Sequence, residues 1–484
     1  MQPMPSSSSS SSQRILLVQP PIPRTLDPIV LPPLGLGYLA SAALAHGYEN
    51  VQILDAPAES LDHDGTVRRI RESGPWLVIG ITATTPTSGS AERLAVDLHD
   101  SGAWLVQGGP HLSASFAEDA PSLLRGFHLG IPGEAEETFV TLLDLLKDRN
   151  PSDIAKLEFP AGVYYPPNSF RRNEHVISPD MLRAPARHLF PTTGYRYPLA
   201  FGRPFATVFS SRGCPFHCTF CDHSTFGRSP RFTPMKDLLA ELEDVIGKGA
   251  EYIVFFDDLF TFSKERVQQL CKEIIRRKWN IRWKCEGRVD TLDREMLDLM
   301  KKAGCECIAM GIESANPLSL RFLGKRTRPA QALRASRMVL AAGIRLIGYF
   351  ILGIPGETWE DSMRTVRWAR FLRCDYAQFS ILSPMPGTPL KKWAIANNCY
   401  REIPAMNPFD LGSTRAVLVT GSWTPEALQE IVSIAHSQFY GSFGYICRRI
   451  LGLRSFAELR SAWLSVRHLS QYLSQHLFPS SKGK

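Results

Sequence analysis

The sequence predicts an α/β protein in three parts: a parallel sheet wrapped by helices, an open barrel of six strand–helix units, and a helical C-terminal region. Three observations predict it. Short apolar runs alternate with helical periodicity from Arg14 to Leu382, and that order implies parallel strands joined by crossover helices. Near Arg187 a stretch rich in Pro, Arg and aromatics, with no clear period, divides two such series. Beyond Tyr400 the strand signal ends and helical spacing takes over.

The first series runs over residues 14–186. Strands are expected at Ile15–Gln19, Val51–Leu54, Leu77–Thr82 and Trp104–Gln107, the last running into Gly108-Gly109. Helices are expected at Gly35–Ala45, closed by Gly47, and at Ser90–Asp100. This is a Rossmann-like arrangement, in which ligands sit at the carboxyl ends of the strands. Residues 187–203 read as an interdomain connector.

The second series, residues 204–395, has strands at Thr207–Ser211, Tyr252–Asp257, Arg282–Arg288, Cys307–Ile312, Leu346–Leu352 and Ala377–Leu382. Helices near Met235–Lys248, Lys264–Lys278, Asp293–Ala303, Pro329–Ala342 and Trp359–Leu372 fill the gaps. Ser263 precedes one, Gly304 and Gly343 end two, and Pro329 stands where a first-turn proline is tolerated. Six strands in this order predict a partial (β/α)6 barrel, short of the closed eightfold form.

The last part, 396–484, reads as helical without strands. Phe456, Leu459, Trp463, Val466, Leu469, Leu473 and Leu477 share one helix face opposite a basic one. Such a helix either packs on the barrel or rests peripherally on an anionic membrane surface.

Bulk properties narrow the classes. At 484 residues, 44% hydrophobic and 21% charged, the chain has the composition of a multidomain globular protein. No run of about 18 uncharged apolar residues predicts a membrane span. The serine tract Met1–Gln13 has neither the basic nor the apolar part of a secretory signal and reads as a disordered tail. The formal charge of +8 gathers between Arg448 and Lys484, where Glu458 is the one acid, so it predicts no nucleic-acid partner. Ten cysteines are too sparse for a disulfide scaffold, and three of them fall within eight residues. That points to metal chemistry in a reducing compartment, hence a cytoplasmic protein.

The triplet is Cys214-Pro-Phe-His-Cys218-Thr-Phe-Cys221, directly after a predicted strand. Three soft thiolates on one tight loop suit three irons of a cubane and leave the fourth iron open to a small molecule. A structural zinc with His217 or His223 as fourth ligand is the competing reading. The remaining cysteines, Cys271, Cys285, Cys305, Cys307, Cys374, Cys399 and Cys447, read as buried structural thiols.

The CxxxCxxC spacing, with Phe220 before the last cysteine, resembles the radical S-adenosylmethionine (SAM) signature. Most of the chain resembles a radical SAM enzyme with an N-terminal cobalamin-binding domain. The resemblance implies a [4Fe–4S] cluster on Cys214, Cys218 and Cys221, with SAM bound at the open iron and cleaved to a 5′-deoxyadenosyl radical. It further implies SAM contacts from Asp257-Asp258 to the methionyl amine, from Glu313 to the ribose, and from Gly353 and Gly356 to the adenine. Arg288 is a candidate for the SAM carboxylate. The competing reading of Asp257, Asp258 and Glu313 is helix caps or loop salt bridges, and that of Arg288 is a surface ion pair.

Small and hydroxyl residues at the first series' strand ends resemble the cobalamin domains of this family. They are Thr82 and Thr84, Gly108-Gly109-Pro110-His111, and Gly133-Glu134, with Pro32 to Ala40 after the first strand. One departure matters. Better-known cobalamin domains carry DxHxxG, whose histidine ligates cobalt from below, whereas the matching stretch here is Asp55-Ala56-Pro57-Ala58-Glu59-Ser60. That ligand is therefore missing, and the lower face of the cobalt is left five-coordinate or open. His111 is either a ligand from elsewhere or a polar loop residue beside the corrin. A nucleotide-binding sheet is the alternative, without support from a GxGxxG or Walker A sequence.

The resemblance implies a methyltransferase that uses the radical and methylcobalamin on an unactivated carbon. Its alternatives are an anaerobic oxidative cyclase of the magnesium-protoporphyrin monomethyl ester type and, in another class, a non-catalytic iron–sulfur electron-transfer or sensing protein. The expected partners are a small-molecule substrate of hydrophobic character (a tetrapyrrole or lipid) and a reductant such as flavodoxin or ferredoxin.

Overall fold

The computed structural model describes residues 14–22, 29–116, 124–166, 183–404 and 414–451. The serine tail and the amphipathic segment from Phe456 to Leu477 lie outside the described residues.

The first unit comprises β1 (Ile15–Gln19), α1 (Leu34–Ala45), β2 (Val51–Asp55), α2 (His63–Ser73), β3 (Val78–Thr82), α3 (Ser88–Asp97), β4 (Trp104–Gly108), α4 (Pro110–Ser115), β5 (Leu129–Gly130) and α5 (Glu136–Leu146). The strands form one parallel sheet in the order β2-β1-β3-β4-β5. The apolar run of β1 explains its central place. Ile15 and Leu17 enter a core layer with α1 and α5, while Leu16 and Val18 enter the opposite layer with α2 and α3. A strand covered on both faces needs no polar alternation. The chain order reverses between β1 and β3, which opens a crevice at the carboxyl ends.

The connector is more than a spacer. Val30 bridges to Arg196, and a Cβ on Gly194 would lie 1.9 Å from the Ala58 carbonyl, so the connector lies hard against the loop after β2. Farther on, Tyr197 and Ala200 pack with Tyr252 and Val254, and Leu199 packs with Cys307, Ala309 and Ile347. These side chains fill the concave face of the second sheet.

That second unit begins with β6 (Phe205–Val208) and a small antiparallel ribbon of β7 (Ser211–Arg212) and β8 (Arg231–Phe232). It continues through α6 (Met235–Gly247), β9 (Tyr252–Phe255), α7 (Lys264–Arg276), β10 (Arg282–Gly287), α8 (Arg294–Lys302), β11 (Cys305–Glu313), α9 (Pro317–Phe322), α10 (Pro329–Ala341), β12 (Arg345–Leu352), α11 (Trp359–Phe371) and β13 (Tyr376–Ile381). The six main strands are parallel in the order β13-β12-β11-β10-β9-β6, and β6 and β13 form the two edges. The barrel is open, as the six-strand count predicts. Its helices pack on the convex side through Leu242, Leu270, Trp283, Met300 and Val366.

The C-terminal region departs from the all-helical expectation. After α12 (Pro389–Ala396), β14 (Tyr400–Pro404) and β15 (Thr414–Leu418) form an antiparallel hairpin, followed by α13 (Pro425–Tyr440) and α14 (Phe443–Leu451). The overlooked signal is the run Ala416–Val419 before Gly421, a short apolar stretch of strand length. Val417 and Leu418 are fully buried. Among the described residues no helix is long and apolar enough to cross a membrane.

Candidate active site

The cysteine loop leaves the barrel between β7 and β8. Cys214 is half-buried, Cys218 buried and Cys221 exposed, and all three are free thiols. The loop is clamped from the far side of the barrel. The Thr219 amide donates to the Leu323 carbonyl at 2.9 Å, and the Leu390 amide donates to the Thr219 carbonyl at 2.9 Å. Gly324 has φ +64, and a Cβ there would come within 2.6 Å of the His217 carbonyl. The loop after α9 thus touches the cysteine loop backbone to backbone. Burial raises the Cys214 thiol above its ordinary value, with Asp258 and Cys218 adding to the effect, so the thiol stays protonated until a metal replaces the proton.

The donor set fits a cluster. Among the described residues no three His, Cys, Asp or Glu side chains are gathered about one point as ligands of a single ion. A cubane takes one thiolate per iron, and three soft thiolates on one loop are the donor chemistry it needs.

The two strand-end acids do different things. Asp257 is buried, and both its oxygens are taken: Oδ1 accepts the Ser210 amide at 2.7 Å, and Oδ2 accepts the Ser210 and Ser211 hydroxyls at 2.5 and 2.6 Å. It fastens the start of the cysteine loop. Asp258 Oδ2 accepts from the Gly213 amide at 2.9 Å, and the carboxyl lies close enough to Cys214 to affect its ionisation. Burial raises both carboxyls above the usual range.

Arg288 is buried rather than on the surface. Its Nε and Nη2 donate to Asp290 at 3.0 Å, Nη2 also donates to the Lys325 carbonyl at 3.0 Å, and Nη1 stands 3.8 Å from the Cys218 sulfur. The guanidinium lies 3.6 Å over the Phe216 ring. Its donors are thus engaged by the Asp290 carboxylate and the loop backbone, and it braces the cysteine loop.

Glu313 ends β11 at φ +66, just past a bulge, and accepts from Lys325 Nζ at 2.7 Å. A non-glycine residue in the left-handed region signals strain that packing must hold. Glu313 lines a cleft of about 460 Å³ together with Phe220, Tyr349, Ile351, Gln378 and Ser380. The cleft therefore runs from the cysteine loop along the ends of β11 to β13.

The two glycines of the Gly353–Glu357 turn are not equivalent. Gly353 has φ +73, and a Cβ there would lie 2.2 Å from Leu428 of α13, so its bareness serves helix packing. Gly356 has φ +85 and open space where a Cβ would stand. Between them and α11 sits Glu357, which sequence reasoning missed. Its carboxylate is buried and accepts from the hydroxyls of Ser319 at 2.5 Å, Ser362 at 2.9 Å and Ser314 at 3.1 Å, tying the ends of β11 and β12 together.

In the first unit, Thr82, Thr84, Gly108, Gly109, His111 and Gly133 all gather at the carboxyl ends of β3, β4 and β5. Gly109 has φ +95 and no room for a side chain, since a Cβ would meet Thr82 Oγ1 at 2.5 Å. Thr84 and Thr87 hydroxyls pair at 3.0 Å, and His111 Nδ1 lies 3.2 Å from the Thr85 hydroxyl. Gly133 has φ +82 with nothing within 4 Å of a Cβ, and Gly108 has its nearest atom at 4.0 Å. An open glycine floor of this kind suits a large flat ligand.

Glu134, a candidate cobalamin contact, is ion-paired across the two units. Arg212 Nη1 donates to its Oε1 at 2.5 Å and Arg231 Nη2 to its Oε2 at 2.7 Å, so the carboxylate joins the two units. Arg212 also donates to Glu136 at 2.8 Å. Arg212, Arg231 and Glu136 were missed in the sequence, although an arginine two residues before Cys214 is a visible hint.

Asp55, first residue of the stretch that lacks the histidine, is fully buried, and burial raises its carboxyl to about 6.

Comparison with known proteins agrees with this arrangement. Residues 208–369 match the radical SAM superfamily, and residues 28–143 match the B12 binding domain. An uncharacterized methyltransferase of Pyrococcus horikoshii is 34% identical over 442 residues, which cover 88% of this chain and 92% of that one. The anaerobic magnesium-protoporphyrin IX monomethyl ester cyclase of Cereibacter sphaeroides is 29% identical over 74% of this chain and 60% of its own. The solved structure of the radical SAM methyltransferase TsrM from Kitasatospora setae, with cobalamin and a [4Fe–4S] cluster bound, is similar in fold, with a TM-score of 0.69 over 89% of each chain at 18% identity. The chain belongs to the radical SAM enzymes that carry a B12-binding domain.

Proposed function

We propose that this enzyme is a cobalamin-dependent radical SAM methyltransferase that methylates an unactivated carbon of a small molecule. Its cofactors are a [4Fe–4S] cluster, SAM and cobalamin. The observation that carries the reading is the shared joint: Glu134, next to the open Gly133 floor, is ion-paired to Arg212, two residues before Cys214. The residues proposed for the two cofactors thus meet at one joint.

When bound, the cluster would supply the electron for reductive cleavage of SAM, and cobalamin, remethylated by a second SAM, would supply the methyl group. The chain's own residues arrange this. Cys214, Cys218 and Cys221 hold three irons. Asp258 would accept from the methionyl amine, Glu313 from the ribose at the cleft wall, and Gly356 would leave backbone open to the adenine. Asp257 and Arg288 act one step back, on the loop itself. Thr82, Thr84, Gly108, Gly109, His111 and Gly133 surround the corrin. The Asp55–Ser60 loop carries no histidine that would ligate the cobalt.

The cleft walls, with Phe220, Tyr349 and Ile351, favour a substrate with a hydrophobic face, such as a tetrapyrrole or lipid. Each methylation would consume two electrons, one to cleave SAM and one to return the cobalamin to the state that a second SAM remethylates, so an external donor such as flavodoxin or ferredoxin completes the system.

The similarity to the cyclases favours a second reading, oxidation of a side chain with the same residues. Incubation of the reduced enzyme with SAM separates the two. Methyl transfer yields both 5′-deoxyadenosine and S-adenosylhomocysteine, cyclisation yields 5′-deoxyadenosine alone, and neither product overturns both readings.

A further inference from the structure

We infer that Arg212 is a positioning residue that registers the cysteine loop against the B12-binding sheet and thereby sets the spacing between the two cofactors. The inference rests on the two-cofactor reading above. Arg212 is buried to 5% exposure, and so is Glu134 to 6%. Its two terminal nitrogens grip Glu134 at 2.5 Å and Glu136 at 2.8 Å, the first just after β5 and the second opening α5. Arg231, the ribbon neighbour of Arg212, takes the other oxygen of Glu134 at 2.7 Å. The guanidinium also lies 4.8 Å from the ring centre of Tyr38 on α1 and 5.0 Å from that of Phe226 on the cysteine loop.

Two arginines thus face two glutamates, and each unit contributes charges of one sign only. The four balance, which a buried network requires if it is not to leave a bare charge. From Arg212 to Cys214 the chain has no slack. Gly213 sits at φ +87, a Cβ on it would meet the Ser229 carbonyl at 2.7 Å, and its amide is held by Asp258. A shift of the Glu134–Glu136 loop is therefore passed to Cys214 over two residues. An ordinary surface ion pair contributes little to stability and neither spans two carboxylates nor fixes a direction. The planar fork of arginine does both, and lysine does neither.

The test uses the full chain purified without oxygen from cells supplied with cobalamin, as wild type, Arg212→Lys and the double variant Arg212→Gln/Glu136→Gln. The double variant leaves Arg231 and Glu134 as a balanced pair, so it removes the strut without stranding a charge. Iron, sulfide and corrin are counted first; a wild type lacking cluster or corrin contradicts the two-cofactor reading itself. The proteins are then reduced so that cob(II)alamin and the [4Fe–4S] cluster are paramagnetic together, and pulsed EPR reads their magnetic coupling. The expected result is a single defined coupling in the wild type that is lost or broadened in both variants, with both cofactors retained. An unchanged coupling in the variants overturns the inference. So does the loss of one cofactor alone, because Arg212 would then be holding that cofactor rather than setting a spacing.

Discussion

The guanidinium of Arg288 lies 3.6 Å above the ring of Phe216. From there it reaches the Cys218 sulfur at 3.8 Å. A cation next to a thiolate favours the more reduced, more negative cluster. Arg288→Met is therefore expected to lower the cluster's midpoint potential while leaving it assembled, at a stability cost of about 1–3 kcal/mol for the charged hydrogen bonds lost. Potentiometric EPR titration checks it. An unchanged potential would mean that Arg288 braces the loop mechanically and nothing more.

Glu313 and Lys325 form a buried pair at 2.7 Å. Glu313→Gln keeps the shape and removes the charge. We expect SAM binding to weaken by roughly ten- to a hundredfold, the equivalent of a lost charge-assisted hydrogen bond, with iron content unchanged. Calorimetric titration of SAM into cluster-loaded protein measures it, and wild-type affinity would remove Glu313 from the SAM site.

Asp55 sets a pH dependence on folding. Burial raises its carboxyl from 3.8 in the unfolded chain to about 6 in the fold. A raised value means that the contribution to stability is whole below about pH 4 and is lost as the pH rises through about 6. The loss is on the order of 2–3 kcal/mol. Asp55→Asn removes that titration, so it should stabilise the first unit at pH 7.5 relative to wild type, and far less at pH 4.5. Denaturant unfolding at both pH values decides it, and an equal change at both would show that the carboxyl does not titrate there.

Gly109 and Gly133 separate packing from ligand space. Gly109 sits at φ +95 and ψ 177, a region open essentially to glycine, and a Cβ would strike Thr82 and Ala83. Gly109→Ala should destabilise by about 2–4 kcal/mol. Gly133→Ala meets nothing within 4 Å and should cost only the left-handed strain, about 1–2 kcal/mol. It nevertheless raises the floor on which the corrin is proposed to lie, so corrin retention should fall. Thermal unfolding and corrin content measured together test the contrast; retention of full corrin by Gly133→Ala would move the corrin off that floor.

The sequence made the parallel series readable because strands buried on both faces, such as Ile15–Gln19, carry continuous apolar runs. The cysteine triplet was legible for a different reason, that metal chemistry fixes residue type and spacing. What stayed hidden depends on distance in the fold. Nothing local says that Asp257 would be saturated by Ser210 and Ser211 while Asp258 keeps an oxygen. Glu134 reads as a strand-end polar residue until Arg212, 78 residues away, is seen to hold it. The hairpin of β14 and β15 escaped notice because two five-residue strands carry little periodicity beside the longer helices around them.

The central claim is tested most directly by metal, sulfide and corrin analysis of anaerobically purified protein, wild type beside Cys214→Ala/Cys218→Ala/Cys221→Ala. The wild-type chain is expected to hold about four irons and four sulfides with bound corrin, and the triple variant no cluster but retained corrin. Zinc in place of iron, or a cluster that survives loss of the three cysteines, would contradict it.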